Sequence, residues 1–187
     1  MVFKNLLAVL LVVFLVGCAT APQKLNVAPV LALDTLKGVV TPIELVISDN
    51  RKNEEILGYR NAKEQAEIGF TGSVAKSLGE RIQAALIYQG IDMTKGPQPF
   101  TRLEIQLHKL NYFTPDETWV SSIEMTAEIL LVVNRGDATI KKRFKANRKQ
   151  DVVTAPNKEF NEKFMNTILS ELLNKALNDN EIVNFLK

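Results

Sequence analysis

The residues able to perform catalysis are few in this sequence. His108 is the only histidine and Cys18 the only cysteine, so a Ser-His-Asp or Cys-His arrangement would have to use His108. A metal site would need a carboxylate set with at most one imidazole ligand. No Gly-x-Ser-x-Gly pattern occurs, and the pair Glu54-Glu55 lies in polar surroundings. We therefore predict a protein with no catalytic residues, no metal ligands and no cofactor.

The residues that precede Cys18 indicate a chemical role for this cysteine other than catalysis. An apolar run from Leu6 to Val16 follows the single positive charge of Lys4. The run matches the length of a signal-peptide core and falls short of the roughly 20 apolar residues that span a bilayer. It ends in Leu15-Val16-Gly17-Cys18, which resembles the lipobox of bacterial lipoproteins. The alternative is an ordinary signal peptide followed by a buried free cysteine.

The lipobox resemblance implies a modified and anchored N-terminus. Residues 1–17 would be removed, and Cys18 would carry an S-diacylglycerol group and an N-acyl chain. Residues 18–24 are small and polar with one proline, as expected of a short tether. Ala19 and Thr20 stand where an aspartate would retain a lipoprotein in the inner membrane, so we expect the periplasmic side of the outer membrane.

Composition predicts one ordinary folded domain over residues 25–187. Removal of Lys4 leaves 22 of the 23 basic residues against 21 acidic ones. A net charge this small gives no general attraction to nucleic acid, and we expect no nucleic-acid partner. With Cys18 acylated, no cysteine is left for a disulfide.

One candidate binding surface is a basic strip near residue 145. Strand alternation places four cations on one outward face, namely Lys141, Arg143, Lys145 and Lys149. Such a strip could bind anionic lipid head groups or an anionic envelope polymer. The alternative is a solvated sheet face that Glu124 and Glu128 partly neutralise.

A second candidate comprises Asp49, Arg51 and Arg60, which follow a β-branched stretch over residues 43–47 that predicts a strand. These residues could form a polar partner-binding site. The alternative is a turn cap together with a structural ion pair.

Two helices and a hairpin are the clearest predicted elements. Apolar residues at helical spacing follow Ser73 and stop at Gly90, and a longer series runs over residues 156–177, with Asp179 capping a short terminal helix. Gly79 interrupts the first helix and should cost about 1 kcal/mol relative to alanine, through close packing or simple tolerance.

Alternating apolar residues predict strands over residues 103–107 and 118–134 and after a turn at residues 134–137. A hairpin centred on that turn would place Glu128 opposite Arg143 and Ala127 opposite Phe144. The charged stretch over residues 51–67 has no clear period and is interpreted as a loop, with a short strand near Glu67-Ile68 as an alternative. The fold class is therefore α+β: a mainly antiparallel sheet of four or five strands, two amphipathic helices packed on one face, and a short C-terminal helix.

Beyond these elements, the chain resembles the YajG-like family of uncharacterised bacterial lipoproteins. The resemblance rests on the lipobox, on Ile47-Ser48-Asp49-Asn50-Arg51, on Leu57-Gly58-Tyr59-Arg60, on the strand 121–134 and on the tail 172–186. It implies an envelope location and this fold, but no activity.

The expected function is a lipid-anchored, periplasm-facing binding protein without catalytic activity. Its partners would be the membrane, through the lipid, and an envelope protein or an anionic envelope polymer. One alternative is an accessory subunit of an envelope transport or assembly complex. A second alternative, a hydrolase of cell-wall fragments, would require a cleft with a perturbed acid and base.

Overall fold

A computed structural model describes residues 21–60, 66–93, 101–114 and 121–187. The predicted signal peptide, the lipobox with Cys18, and the sorting residues Ala19 and Thr20 lie outside these ranges. The first residues of the strand predicted to begin at residue 118 lie outside them too.

Seven strands in the described part of the chain form one sheet. They are β1 (Gln23–Leu25), β2 (Ile43–Asp49), β3 (Ile56–Tyr59), β4 (Glu67–Phe70), β5 (Thr101–Phe113), β6 (Ser121–Arg135) and β7 (Ala138–Val152). The order is β1-β4-β3-β5-β6-β7. Strand β5 pairs along its whole length with β6; its other edge takes β2 beside residues 101–107 and β3 beside Tyr112.

The α+β class is confirmed, but the predicted number of strands is too low. Strands β1, β3 and β4 have only three or four residues each, too few for alternation to be recognised, and β3 lies in the region interpreted as a loop. Strand β4 begins at Glu67, where the alternative of a short strand placed one. The sheet is also less antiparallel than predicted, because β1 pairs parallel with β4 and β2 parallel with β5. These pairings join segments distant in sequence, which a local pattern does not report.

Three α-helices lie in the described ranges: α1 (Val74–Tyr88), α2 (Lys158–Leu177) and α3 (Asn180–Leu186). Each begins at a polar cap: the side chains of Ser73, Asn157 and Asp179 accept hydrogen bonds from backbone N–H groups of the first turn. The caps at Ser73 and Asp179 are predicted from the sequence, whereas the cap at Asn157 is not. Helix α1 packs on β2, α2 on β6, β7 and β1, and α3 on β6. The odd-numbered side chains over residues 103–107 of β5 and 123–133 of β6 are buried in one core with the apolar faces of the helices.

The hairpin between β6 and β7 has the predicted faces but a different register. Glu128 pairs with Lys145, and Ala127 with Ala146, so each predicted pairing is wrong by two residues. The turn is the two-residue Gly136-Asp137 rather than one centred a residue earlier, and Gly136 has a φ of +58°, which glycine adopts without steric cost. Because a shift of two residues preserves the faces, Phe144 is still buried and Lys145 still exposed.

The segment after β1 lies along α2 and is joined to it by a regular series of hydrogen bonds. We call residues 26–35 the strap. The backbone N–H groups of residues 26, 28, 30 and 32 donate to polar side chains spaced four residues apart along α2, namely Glu162, Asn166, Ser170 and Asn174. Asn178, at the C-terminal cap of α2, donates to the carbonyl oxygen of Ala32. Two extended residues advance about 6.6 Å and four helical residues about 6.0 Å. The two repeats therefore stay in step over residues 26–32, before the 3-10 turn Asp34–Leu36.

Candidate functional site

The basic strip lies where the sequence predicts it, on the outward face of β7. Lys141, Arg143, Lys145 and Lys149 are all exposed. Strand β7 ends the sheet order, and no described strand pairs with its second edge. The strip therefore borders an open sheet edge of 15 residues.

Most of the charge on this strip is compensated within the protein. Lys145 Nζ lies 3.0 Å from Glu128 Oε2, and Arg143 donates to Glu128 Oε1. The hydrogen bonds from Lys145 and then Arg143 lower the pKa of the Glu128 carboxyl, although only 4% of this residue is exposed. Lys149 Nζ lies 3.7 Å from Glu124. Among the described residues, no carboxylate lies within 4 Å of Lys141, so its charge is uncompensated. The other three cations of the strip are paired, so the excess of positive charge is small.

Lys142 points to the other side of the sheet and joins β7 to α3. Its Nζ lies 2.8 Å from Asp179 Oδ1 and 3.1 Å from Glu181 Oε2. Asp179 also caps α3 by accepting from the N–H of Ile182. The bond from Lys142 lowers the pKa of Asp179, and the bond to Asp179 raises the pKa of Lys142. This contact fixes the C-terminal helix to the sheet.

Asp49 and Arg51 form a buried ion pair at the end of β2. The Arg51 Nε and Nη2 atoms donate to the two carboxylate oxygens over 2.8 and 2.6 Å, and Nη2 also donates to the carbonyl oxygen of Glu54. The guanidinium lies 4.8 Å from the centre of the Phe70 ring. The two side chains are only 3% and 5% exposed, so the pair is held inside the protein.

Arg60 is placed in a different set of contacts. Its Nη1 donates to the carbonyl oxygen of Ala21 over 3.1 Å, and its Nη2 to that of Pro156 over 3.2 Å. Only 7% of Arg60 is exposed. The predicted cluster thus separates into an ion pair at the end of β2 and a guanidinium that joins the N-terminal segment to the loop before α2. This second role depends on chain segments distant in sequence, and no local signal indicated it.

His108 lies at an irregularity in β5, where the pairing with β6 shifts between Leu107 and Lys109. Its Nε2 is 3.3 Å from Gln106 Oε1. No group of three or more potential metal ligands occurs in the described residues. His108 is therefore a strand residue whose side chain is hydrogen-bonded to Gln106.

A pocket of about 410 Å³ lies beside the start of α1 and is lined by Lys24, Asp49, Glu54 and Glu55, among others. Asp49 is already bound by Arg51, so it is not a free carboxylate in this pocket. No helix within the described ranges is long and apolar enough to cross a bilayer.

The fold places the protein in the α+β class, with an open sheet that packs against helices. Protein XCC0632 from Xanthomonas campestris has a similar fold, with a TM-score of 0.58 and 11% identity, over 86% of this chain and 96% of that one. Rare lipoprotein B from Shewanella oneidensis is less similar, with a TM-score of 0.41 and 11% identity over 76% and 92% of the two chains. No curated protein sequence matches significantly.

Residues 35–187 match the family described as uncharacterised lipoproteins. The chain belongs to this family, the YajG family that the sequence motifs resemble. Membership implies association with the cell envelope.

Proposed function

We propose that the protein is a lipid-anchored lipoprotein on the periplasmic side of the outer membrane, where it binds an envelope protein without catalysing a reaction. The observation that carries the proposal is the open edge of β7, which is 15 residues long and has no strand partner in the described residues. An exposed edge offers unpaired N–H and C=O groups to an added strand.

The charge arrangement along β7 favours a protein over an anionic polymer. Glu128 compensates Lys145 and Arg143, and Glu124 compensates Lys149. A polymer-binding surface gains affinity from uncompensated cations, whereas alternating charges on an edge prevent pairing with unsuitable strands and still admit one with matching charges. This supports an accessory role in an envelope transport or assembly complex.

The hydrolase alternative receives less support. It requires a general acid and a base in one cleft. Of the three carboxylates at the pocket beside α1, Asp49 is held in the bidentate pair with Arg51.

Photo-crosslinking in intact envelopes tests whether the edge of β7 binds a protein partner. A photoreactive residue replaces Lys141, which is exposed on β7 and has no carboxylate neighbour among the described residues. The control places it at Lys175, which is exposed on α2. We expect one protein to be crosslinked at position 141 and not at 175. Crosslinked polymer, or equal yields at both positions, would contradict the proposal.

The anchor has its own test. Mass spectrometry of the purified native protein should show an N-terminal Cys18 with three acyl chains, and Cys18→Ser should abolish both cleavage at the lipobox and acylation. An unmodified thiol on the mature chain would exclude the anchor. Recovery only in inner-membrane fractions would contradict the proposed outer-membrane location.

A further inference from the structure

The polypeptide is bound to the folded domain from a residue very close to the proposed lipid attachment site. Arg60 binds the carbonyl oxygens of both Ala21 and Pro156, which brings the start of the described chain against the loop before α2. Gln23 reinforces this contact, because its side chain donates to Pro156 over 3.3 Å and accepts from Asn161 over 2.8 Å. The chain is therefore held in place from Ala21 onward.

Three Cα–Cα steps separate Ala21 from Cys18, so the two Cα atoms are at most about 11 Å apart. An acylated Cys18 would keep this end of the domain near the bilayer surface, because no longer tether is available. The inference that follows rests on the proposed lipid anchor.

The same end of the domain exposes apolar side chains. Val153 is 99% exposed and Phe160 is 38% exposed. Both line a hollow of about 390 Å³ in the loop that contains Ala155 and Pro156. Three Cα–Cα steps join Val153 to Pro156, which is bound by Arg60. We call Val153, Ala155 and Phe160 the anchor-side rim.

We infer that the anchor-side rim is a membrane-contacting surface that rests against phospholipid, with Val153 entering the interface between head groups and acyl chains. The position of the rim beside the chain segment that leads to Cys18 identifies lipid as the occupant. Apolar side chains gain free energy on entering this interface. Contact at the rim would turn a flexible lipid anchor into a fixed orientation of the domain.

The opposite end of the sheet would then point away from the bilayer. Strand β7 runs from Ala138 to Val152, a length of about 46 Å for 14 steps of extended chain. The start of β2 lies at the far end, because Ile43 pairs with Thr101, which pairs with Arg135. Val40 is three residues before Ile43 and is 84% exposed, so it is a matched control for Val153.

Site-specific labelling of the acylated full-length protein tests the orientation. Cys18 is the only cysteine, and its sulfur is blocked when acylated, so Val153→Cys and Val40→Cys each provide one reactive thiol. Each variant is labelled with an environment-sensitive fluorophore and reconstituted in phosphatidylethanolamine and phosphatidylglycerol vesicles that contain a quencher-bearing lipid. We expect a blue shift and quenching at position 153, and neither at position 40.

The outcomes separate this inference from the anchor itself. Flotation with the vesicles but no difference between the two positions would overturn the orientation and leave the anchor intact. Failure to float would overturn both. A blue shift at position 153 in detergent, together with a dimer in sedimentation, would assign the rim to a second copy and overturn lipid as its occupant.

Discussion

Asn166 binds the backbone on both sides of Val27: its Nδ2 donates to the carbonyl oxygen of Asn26 over 2.9 Å, and its Oδ1 accepts from the N–H of Ala28 over 2.7 Å. A helix side chain thus forms the hydrogen bonds to the strap backbone that a neighbouring strand would form in a sheet. Asn174 repeats the arrangement between Val30 and Ala32. The buried strap residues Val27 and Leu33 are held over the core by these bonds.

Replacing Asn166 with alanine should lower the free energy of unfolding by about 1–3 kcal/mol. The partly buried N–H of Ala28 and the exposed carbonyl oxygen of Asn26 lose their partner. The urea midpoint measures this loss, and hydrogen exchange at Ala28 should become faster. Asn147→Ala, at an exposed position of β7, is the control and should change neither. Equal stability of the two variants would show that the strap contributes little.

Glu128 should make stability depend on acid pH. Lys145 and Arg143 lower its pKa in the folded protein below the ordinary value of 4.5, so the unfolded chain binds more protons in this range. The stabilisation is complete above about pH 4.5 and is lost as the pH falls through the lowered folded value. Glu128→Gln should therefore weaken the decline in stability between neutral pH and pH 3, as measured by urea unfolding.

Glu171→Gln serves as the comparison for that experiment, since it removes a half-exposed carboxylate paired with Arg148 and exposed pairs contribute little. It should keep the acid dependence of the original protein. If Glu128→Gln and Glu171→Gln showed the same dependence of stability on pH, Glu128 would not be the origin of the acid dependence.

The two faces of β7 should respond differently to substitution. Changing Lys141, Lys145 and Lys149 together to glutamine should cost little, because the exposed pair of Lys149 with Glu124 contributes under about 1 kcal/mol. The buried carboxylate of Glu128 loses Lys145 but keeps its bond from Arg143. Phe144→Ala should cost about 3–5 kcal/mol through the cavity it leaves, since Phe144 is 5% exposed. Thermal unfolding measures both, and a large loss in the triple variant would contradict the face assignment.

Retention of the triple glutamine variant on anionic vesicles tests whether the basic strip binds polyanions. With Glu124 and Glu128 compensating most of the strip, we expect retention to be nearly the same as for the original protein. A strong salt-sensitive loss at unchanged melting temperature would instead favour polyanion binding.

Gly58 and Gly79 should respond in opposite ways to alanine. A Cβ atom at Gly58 would lie 2.2 Å from the backbone oxygen of Tyr112, so β3 and β5 would have to separate, at a cost of about 3 kcal/mol. At Gly79 the nearest atom is Ile47 Cγ1 at 3.5 Å, an ordinary contact, and alanine should stabilise α1 by up to about 1 kcal/mol. Chemical unfolding tests both; a stable Gly58→Ala protein would show that the strands tolerate a wider spacing.

The elements predictable from sequence are those with a local cause. The faces of β6 and β7 follow from alternation, and the starts of α1 and α3 follow from Ser73 and Asp179, whose side chains bond within one turn. For Gly79, the sequence left close packing and tolerance open, and the distance to Ile47 favours tolerance.

Tertiary structure decided how those elements are joined. The hairpin register depended on which two residues form the turn, and the pattern is unchanged by a shift of two. Strands β1, β3 and β4 are too short to show a period, and the pairings of β1 with β4 and of β3 with β5 connect distant segments. Arg60 and the Asn166 series carry no apolar pattern, because they act by hydrogen bonding to backbone groups of the N-terminal segment. Only folding brings that segment against α2, more than 130 residues away in sequence.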